Sequence, residues 1–284
     1  MKTIQLGFKA FDPHELLCHF VALKAGLYKR ENLNIELLDI TFITDADLPV
    51  PVFQVSCGAA LSAALMATPQ RVVFVATDKP MFWIYANHEI LNLTQLADSK
   101  LATFPAIAPP HHLANIILNK SGLDVEKEIT LLPARDDVAR FGLLKSASVD
   151  AAVISSAIAP VKIEQAGFNR LCFFGDEIRI PTTGLAIHQS YLDQEPYLIE
   201  TLTRILKESL SIIQSDVVLC GSVLQEYFNV DEAFKDETGR LYQGYFTQDG
   251  KTTEAIAQNA INSLCKSLSV TTVPQWNQIY NFPE

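Results

Sequence analysis

The chain has 284 residues, 49% of them hydrophobic, and a formal net charge of −10 from 22 basic and 32 acidic side chains. That length suits one large domain or two of roughly 100–150 residues. The acidic balance and the absence of a clustered Lys/Arg patch argue against nucleic-acid binding, and no apolar run approaches the roughly 20 residues of a membrane helix.

Elements alternate from the first residues. Thr3–Phe8 reads as a strand with Ile4, Leu6 and Phe8 in alternation. A helix is expected from about Pro13, with Asp12 as its cap and Gly26 as a left-handed stop. A second strand covers Asn34–Asp39. Phe53–Ser56 reads as a strand running into a helix over Ala59–Ala67. Arg71–Ala76 and Phe82–Ala86 are strands, Leu93–Ala97 a short helix, Leu101–Phe104 a strand and His111–Ser121 a helix. Strand Ile129–Leu132, helix Asp136–Ser146, strand Ala151–Ile154, helix Ala157–Ala166 and strands Leu171–Phe174 and Leu185–Ile187 follow. Beyond residue 190 the periodicity is helical throughout: Tyr191–Gln214, Val217–Phe228, Asp231–Phe246 and Thr253–Leu268, with a short tail at Trp276–Asn281. The alternation predicts an α/β protein with mostly parallel sheets and a helical C-terminal segment.

Met1-Lys2 leads directly into a strand, and no apolar h-region of a signal peptide is visible. The five cysteines (Cys18, Cys57, Cys172, Cys220, Cys265) are odd in number, scattered and without a CxxC pair. They read as buried small hydrophobes rather than a disulfide framework or a zinc site. Both features suit a cytoplasmic chain; a periplasmic or lipid-anchored one would require that a leader has been removed.

The ordered motifs resemble type II periplasmic binding proteins of the nitrate/sulfonate/taurine and thiamin-precursor branch. The first run carries the resemblance on Val21, Ala22, Gly26, Tyr28, Leu33, Ile35, Glu36 and Leu37. Phe53–Ala64, Asp78–Ala86, Leu93–Thr103, Asp124–Arg140, Lys145–Val153 and Gly167–Gly184 then follow in the family's order. The resemblance implies two lobes, residues 1–79 plus 183–284 and residues 80–182, with hinge crossovers near 77–82 and 181–184 and a ligand cleft between. One departure is the segment Thr44–Pro51, which leaves room for barely one turn where the family has a full helix.

The function implied is capture of a small anionic or heterocyclic solute as the substrate-binding component of an ABC-type importer. The partners implied are that small molecule and an ABC permease. No cofactor, metal or catalytic residue is expected. Ligands of parallel sheets gather at the carboxyl ends of strands, which selects four loops. Lys9, Phe11 and His14 follow the first strand. Ser56, Cys57, Gly58 and Ala59 open a helix whose amides suit an anion. Ala108 and His111 lie in the loop Ala106–His112; adjacent His111 and His112 point about 100° apart and do not share an ion. Asp176, Glu177, Thr182 and Thr183 lie on the return to the first lobe. Asp136 and Asp137 read as helix caps. Ser155 and Ser156 end a strand, and of Phe82 and Trp83 alternation lets one line the cleft.

Two enzymes of this fold offer an alternative. Fungal-type thiamin pyrimidine synthase uses iron, pyridoxal phosphate and a cysteine-rich motif that would fall near residues 176–184. This chain has Asp-Glu-Ile-Arg-Ile-Pro-Thr-Thr-Gly there, and no histidine in the helix at Gly58–Leu61. A menaquinone-pathway synthase would draw a base from His111 or His112. A cytoplasmic ligand sensor is the remaining reading.

Overall fold

The structure is a computed structural model describing residues 1–44, 46–106 and 108–283. The strands are β1 (Lys2–Phe8), β2 (Leu33–Asp39), β3 (Phe53–Ser56), β4 (Gln70–Thr77), β5 (Phe82–Ala86), β6 (Ser99–Thr103), β7 (Ile129–Pro133), β8 (Ala151–Ser155), β9 (Asn169–Phe173) and β10 (Thr183–His188). They form two five-stranded sheets, ordered β2-β1-β3-β10-β4 and β7-β6-β8-β5-β9. The mostly parallel α/β fold expected from the sequence is thus present. In each sheet one strand runs against the rest: β10 is antiparallel to β3 and β4, and β5 to β8 and β9. The chain forms two compact units, residues 1–79, 180–229 and 239–284, and residues 80–179 with 230–238.

In the first unit the helix Pro13–Lys24 starts as its sequence demands. Asp12 accepts a hydrogen bond from Glu15 N at 3.0 Å, Pro13 needs no donor in the first turn, and Gly26 turns the chain at φ +71°. Pro13 through Ala22 are all buried. The helix Pro196–Ser215 packs against it through Leu198, Leu202, Ile205, Leu206, Leu210 and Ile213, which recur at helical spacing, and Ser209 Oγ donates to the Cys18 carbonyl. Fully burying each such leucine or isoleucine stabilises by about 1.5–3 kcal/mol.

The edge strand β4 is covered rather than left open. Val72 exchanges backbone hydrogen bonds with Ile279 and Asn281, while Val75 and Ala76 pair with Gly250 and Thr247. Gly250, at φ +77°, must be glycine, since a Cβ would lie 2.0 Å from the Phe74 ring.

In the second unit Ile84, Leu101, Ile117, Leu118, Val153 and Phe174 form the core. Trp83 stacks on Phe173 at 5.1 Å and is fully buried. Residues 230–238 belong here, and Lys162 pairs with Asp231 at 2.8 Å.

Several expected elements differ. The single helix expected over Tyr191–Gln214 is two, Gln189–Gln194 and Pro196–Ser215, because Pro196 cannot donate and starts a helix instead. The helix expected over Ala157–Ala166 is Pro160–Gln165; the residue before a proline avoids helical backbone, and Ala159 has ψ 125°. Asp231–Phe246 shortens to Lys235–Gln243, and Leu93–Leu96 is a 3-10 turn. The tail, expected without strand character, makes a parallel bridge from Tyr280 to Val72. Thr44–Pro51 carries hydrogen-bonded turns at Asp47 and Val52; its Asp45 lies outside the described residues.

Candidate functional site

The carboxyl ends of the strands carry a polar cluster in each unit. In the first unit it forms where β1, β3 and β4 end and β10 begins. His14 lies in the first turn of its helix and is buried. Thr182 Oγ1 donates to the Thr77 carbonyl at 3.0 Å, which leaves it to accept from His14 Nε2 at 2.9 Å. Thr183 Oγ1 donates to the His14 carbonyl at 2.9 Å. Burial lowers the His14 pKa to about 3, so the imidazole is neutral at physiological pH. His19, five residues on, donates from Nε2 to the Gly184 carbonyl at 3.2 Å and meets Tyr28 Oη at 3.0 Å; burial brings its pKa down to about 4.

Beside this pair, the Glu15 carboxylate accepts from the backbone amides of Lys9 and Ala10 at 2.8 and 3.0 Å. It shapes the loop after β1, although burial raises its pKa to about 7 against the pull of those amides and of Lys9. Lys9 turns back to donate to the carbonyls of Ile40 and Ile43 at 3.0 and 2.9 Å. Phe11 is half-exposed at 51% and packs edge-on against Phe8 and Phe20. Ser56 ends β3, and the helix Cys57–Leu65 begins directly after it, two residues earlier than expected. Gly58 is exposed and its amide donates to the Thr182 carbonyl at 3.3 Å, with Ala59 half-buried alongside. Cys57 faces inward, its thiol 3.5 Å from the Phe74 carbonyl and pushed up in pKa by burial.

The second unit is organised around a charge. Arg140 is fully buried. Its Nε donates to the Val153 carbonyl and its Nη1 to the Ala134 carbonyl, each at 2.7 Å, and its Nη2 meets Asp137 Oδ1 at 2.6 Å. The guanidinium lies 3.5 Å from the Phe104 ring centroid, a cation–π contact. Asp137 also accepts from Ser155 N and Ser155 Oγ, at 2.7 and 2.8 Å. Expected as a cap, Asp137 instead ties β8 to Arg140; the cap is Asp136, which accepts from Ala139 N at 2.7 Å. The reason is spacing: Asp137 and Arg140 lie three apart on one helix face.

Phe82 is half-buried against Phe104 and Phe174, whereas Trp83 is core. His111 meets the Phe104 carbonyl through Nδ1 and Asn115 through Nε2, both at 3.2 Å, just after Ala108, which precedes the helix Pro109–Lys120. Ile107, in the same loop, lies outside the described residues. Asp176 and Glu177 are exposed in the turn Phe174–Glu177 after β9.

Sequence reading passed over Glu15, Thr77, Phe104 and Arg140. The Asp137-x-x-Arg140 spacing was the available signal; nothing in the sequence marked the others. Among the described residues no group of three or more His, Cys, Asp or Glu forms a metal site. All five cysteines are buried and unpaired, and among the described residues no helix is long and apolar enough to cross a membrane.

The fold is shared with solved periplasmic substrate-binding proteins. The chain is similar to the periplasmic aliphatic sulphonate binding protein SsuA from Escherichia coli, with a TM-score of 0.77 at 14% identity over 98% of this chain and 97% of that one. The alkanesulfonate-binding protein SsuA from Xanthomonas axonopodis pv. citri, bound to MOPS, gives 0.73 at 12% identity over 99% of both chains. A mutant of the desulfurization enzyme DSZB in complex with biphenyl-2-sulfinic acid gives 0.72 at 15% identity over 98% of this chain and 95% of that one. No family model and no curated protein sequence matches the chain.

Proposed function

We propose that the chain is a small-molecule binding protein, taking an anionic or heterocyclic solute at the strand ends and serving as the substrate-binding component of an ABC-type importer. The observation that carries this reading is the pair of buried polar clusters, one at the strand ends of each sheet, on the fold shared with sulfonate-binding proteins. The proposed contacts are His14, Thr182, Thr183, Ser56, Gly58, Ala59 and the Phe11 ring in the first unit. In the second they are Ser155, Phe82, His111, Ala108 and Asp176. Lys9 and Cys57 would act from behind, holding the loops that carry their neighbours. The lobe closure implied by the resemblance belongs to the same proposal.

The test is thermal unfolding with alkanesulfonates, aminosulfonates, nitrate, pyrimidines and aromatic acids. A true ligand stabilises the fold by RT ln(1 + [L]/Kd), about 2.7 kcal/mol at 100 times Kd. It should reduce the radius of gyration in solution scattering and lose affinity in His14→Ala. A panel without any shift, or a ligand indifferent to His14→Ala, sinks the reading.

The similarity to DSZB supports a second reading, an enzyme acting on an aromatic sulfinate or related acid. Its chemistry is less well supplied. His14 at about 3 is a weak base, and the Cys57 thiol is held protonated by burial. Chromatography of biphenyl-2-sulfinate incubated with the protein separates the readings, since a binder returns it unchanged.

A further inference from the structure

The covered edge of β4 contains a pocket that the strand-end cluster does not use. Its volume is about 630 Å³, within the range of small-molecule sites. It lies where the tail pairing with Val72 and the loop pairing with Val75 leave the strand edge between them. Arg71, Lys251, Gln189, Trp276, Tyr280 and Phe282 line it.

Two features give it a chemical preference. The first is charge. The lining includes two cations and no carboxylate, in a chain whose net charge is −10. Among the described residues neither Lys251 nor the terminal nitrogens of Arg71 have a carboxylate partner. Arg71 is held in orientation through Nε, which donates to Gln189 Oε1, while Gln189 Nε2 donates to Asp193. The second is the aromatic lining of Trp276, Tyr280 and Phe282.

We propose that the first unit carries a second ligand site here, for a small aromatic organic anion. Arg71 and Lys251 take the acid group, the guanidinium supplying a planar fork, and Trp276 receives the ring. The site is independent of the strand-end solute site, and its failure leaves that proposal standing.

Benzenesulfonate is the probe, followed by calorimetry and by tryptophan fluorescence. The chain has two tryptophans, and Trp83 is fully buried in the other unit, so a saturable change in emission should report Trp276 and vanish in Trp276→Phe. Arg71→Ala with Lys251→Ala should weaken this binding at least tenfold, Arg71→Lys should weaken it less because it keeps the charge and loses only the planar fork, and circular dichroism verifies folding of each variant. His14→Ala should leave it unchanged, even where benzenesulfonate also occupies the strand-end site as a second calorimetric event. The proposal is overturned by an absence of saturable binding, by binding that survives the double substitution, by binding lost only in His14→Ala, or by inorganic sulfate binding as tightly as benzenesulfonate.

Discussion

The two strand-end clusters occupy the same place in sheets of the same order, yet they solve burial differently. In the first unit the groups are kept neutral: His14 and His19 lose their charge to desolvation, and Glu15 is pushed toward protonation. In the second a full charge is buried and matched, with Arg140 meeting Asp137, two carbonyls and the Phe104 ring. Topology therefore sets where polar groups collect, and the local partners decide whether they are ionised. A neutral site titrates with pH, while a matched ion pair resists pH but tolerates no missing member.

Breaking the charged cluster should have the largest effect. Asp137→Ala leaves the fully buried Arg140 guanidinium without its counter-ion and should destabilise by about 3–5 kcal/mol in urea unfolding. A loss under about 1 kcal/mol would mean that the two carbonyls suffice and that the contrast between the clusters is overstated.

Gly184→Ala probes the backbone beneath the neutral cluster. The new Cβ would lie 2.0 Å from the Phe74 carbonyl oxygen. The resulting shift should cost about 3 kcal/mol and disturb the His19 bond to the Gly184 carbonyl. Unchanged stability would show that β10 and β4 can separate freely.

The pH response sharpens the comparison further. His14 and His19 have folded pKa values of about 3 and about 4, below the ordinary 6.5. The unfolded chain therefore binds more protons below 6.5, and stability should fall as pH drops from 6.5 toward 4. Glu15 runs the other way. Raised to about 7 from 4.5, it binds more protons when folded, so its contribution is full below 4.5 and lost as pH rises through 7. His19→Gln should flatten the acid-side loss between pH 6.5 and 5, and Glu15→Gln should steepen it. Urea midpoints at pH 5 and 7 read both; identical slopes in all three proteins would refute the neutral-cluster account.

The smallest effect is expected at Lys9. Lys9→Met removes its bonds to the Ile40 and Ile43 carbonyls and should cost about 1 kcal/mol. Amide exchange should quicken at residues 41–43 while β1 stays protected; uniform quickening would place Lys9 in the fold's foundation instead.

Much of this was legible in the chain. Alternation marked β1, and Asp12, Pro13 and Gly26 bounded the first helix, because caps and left-handed stops are local properties. Phe82–Ala86 was recovered at its observed limits. Where reading failed, a proline usually explains it: Pro196 and Pro160 are local signals whose consequence periodicity outweighed. For the site, His14, Thr182 and Ser155 were reachable because the ends of parallel strands are predictable from element order. Glu15 was not, and Arg140 was marked only by its spacing from Asp137, since a charged residue reads as solvent-facing until its burial is known.

By itself, then, the sequence determined the alternation of strands and helices, their approximate limits and the loops that reach the strand ends. These depend on contacts a few residues apart. Tertiary structure decided which strand runs against its neighbours, that residues 230–238 join the second unit, and that the tail covers the edge of β4. It also decided the ionisation of the polar groups, because desolvation and charge matching arise only when residues such as His14 and Thr182, 168 positions apart, come together.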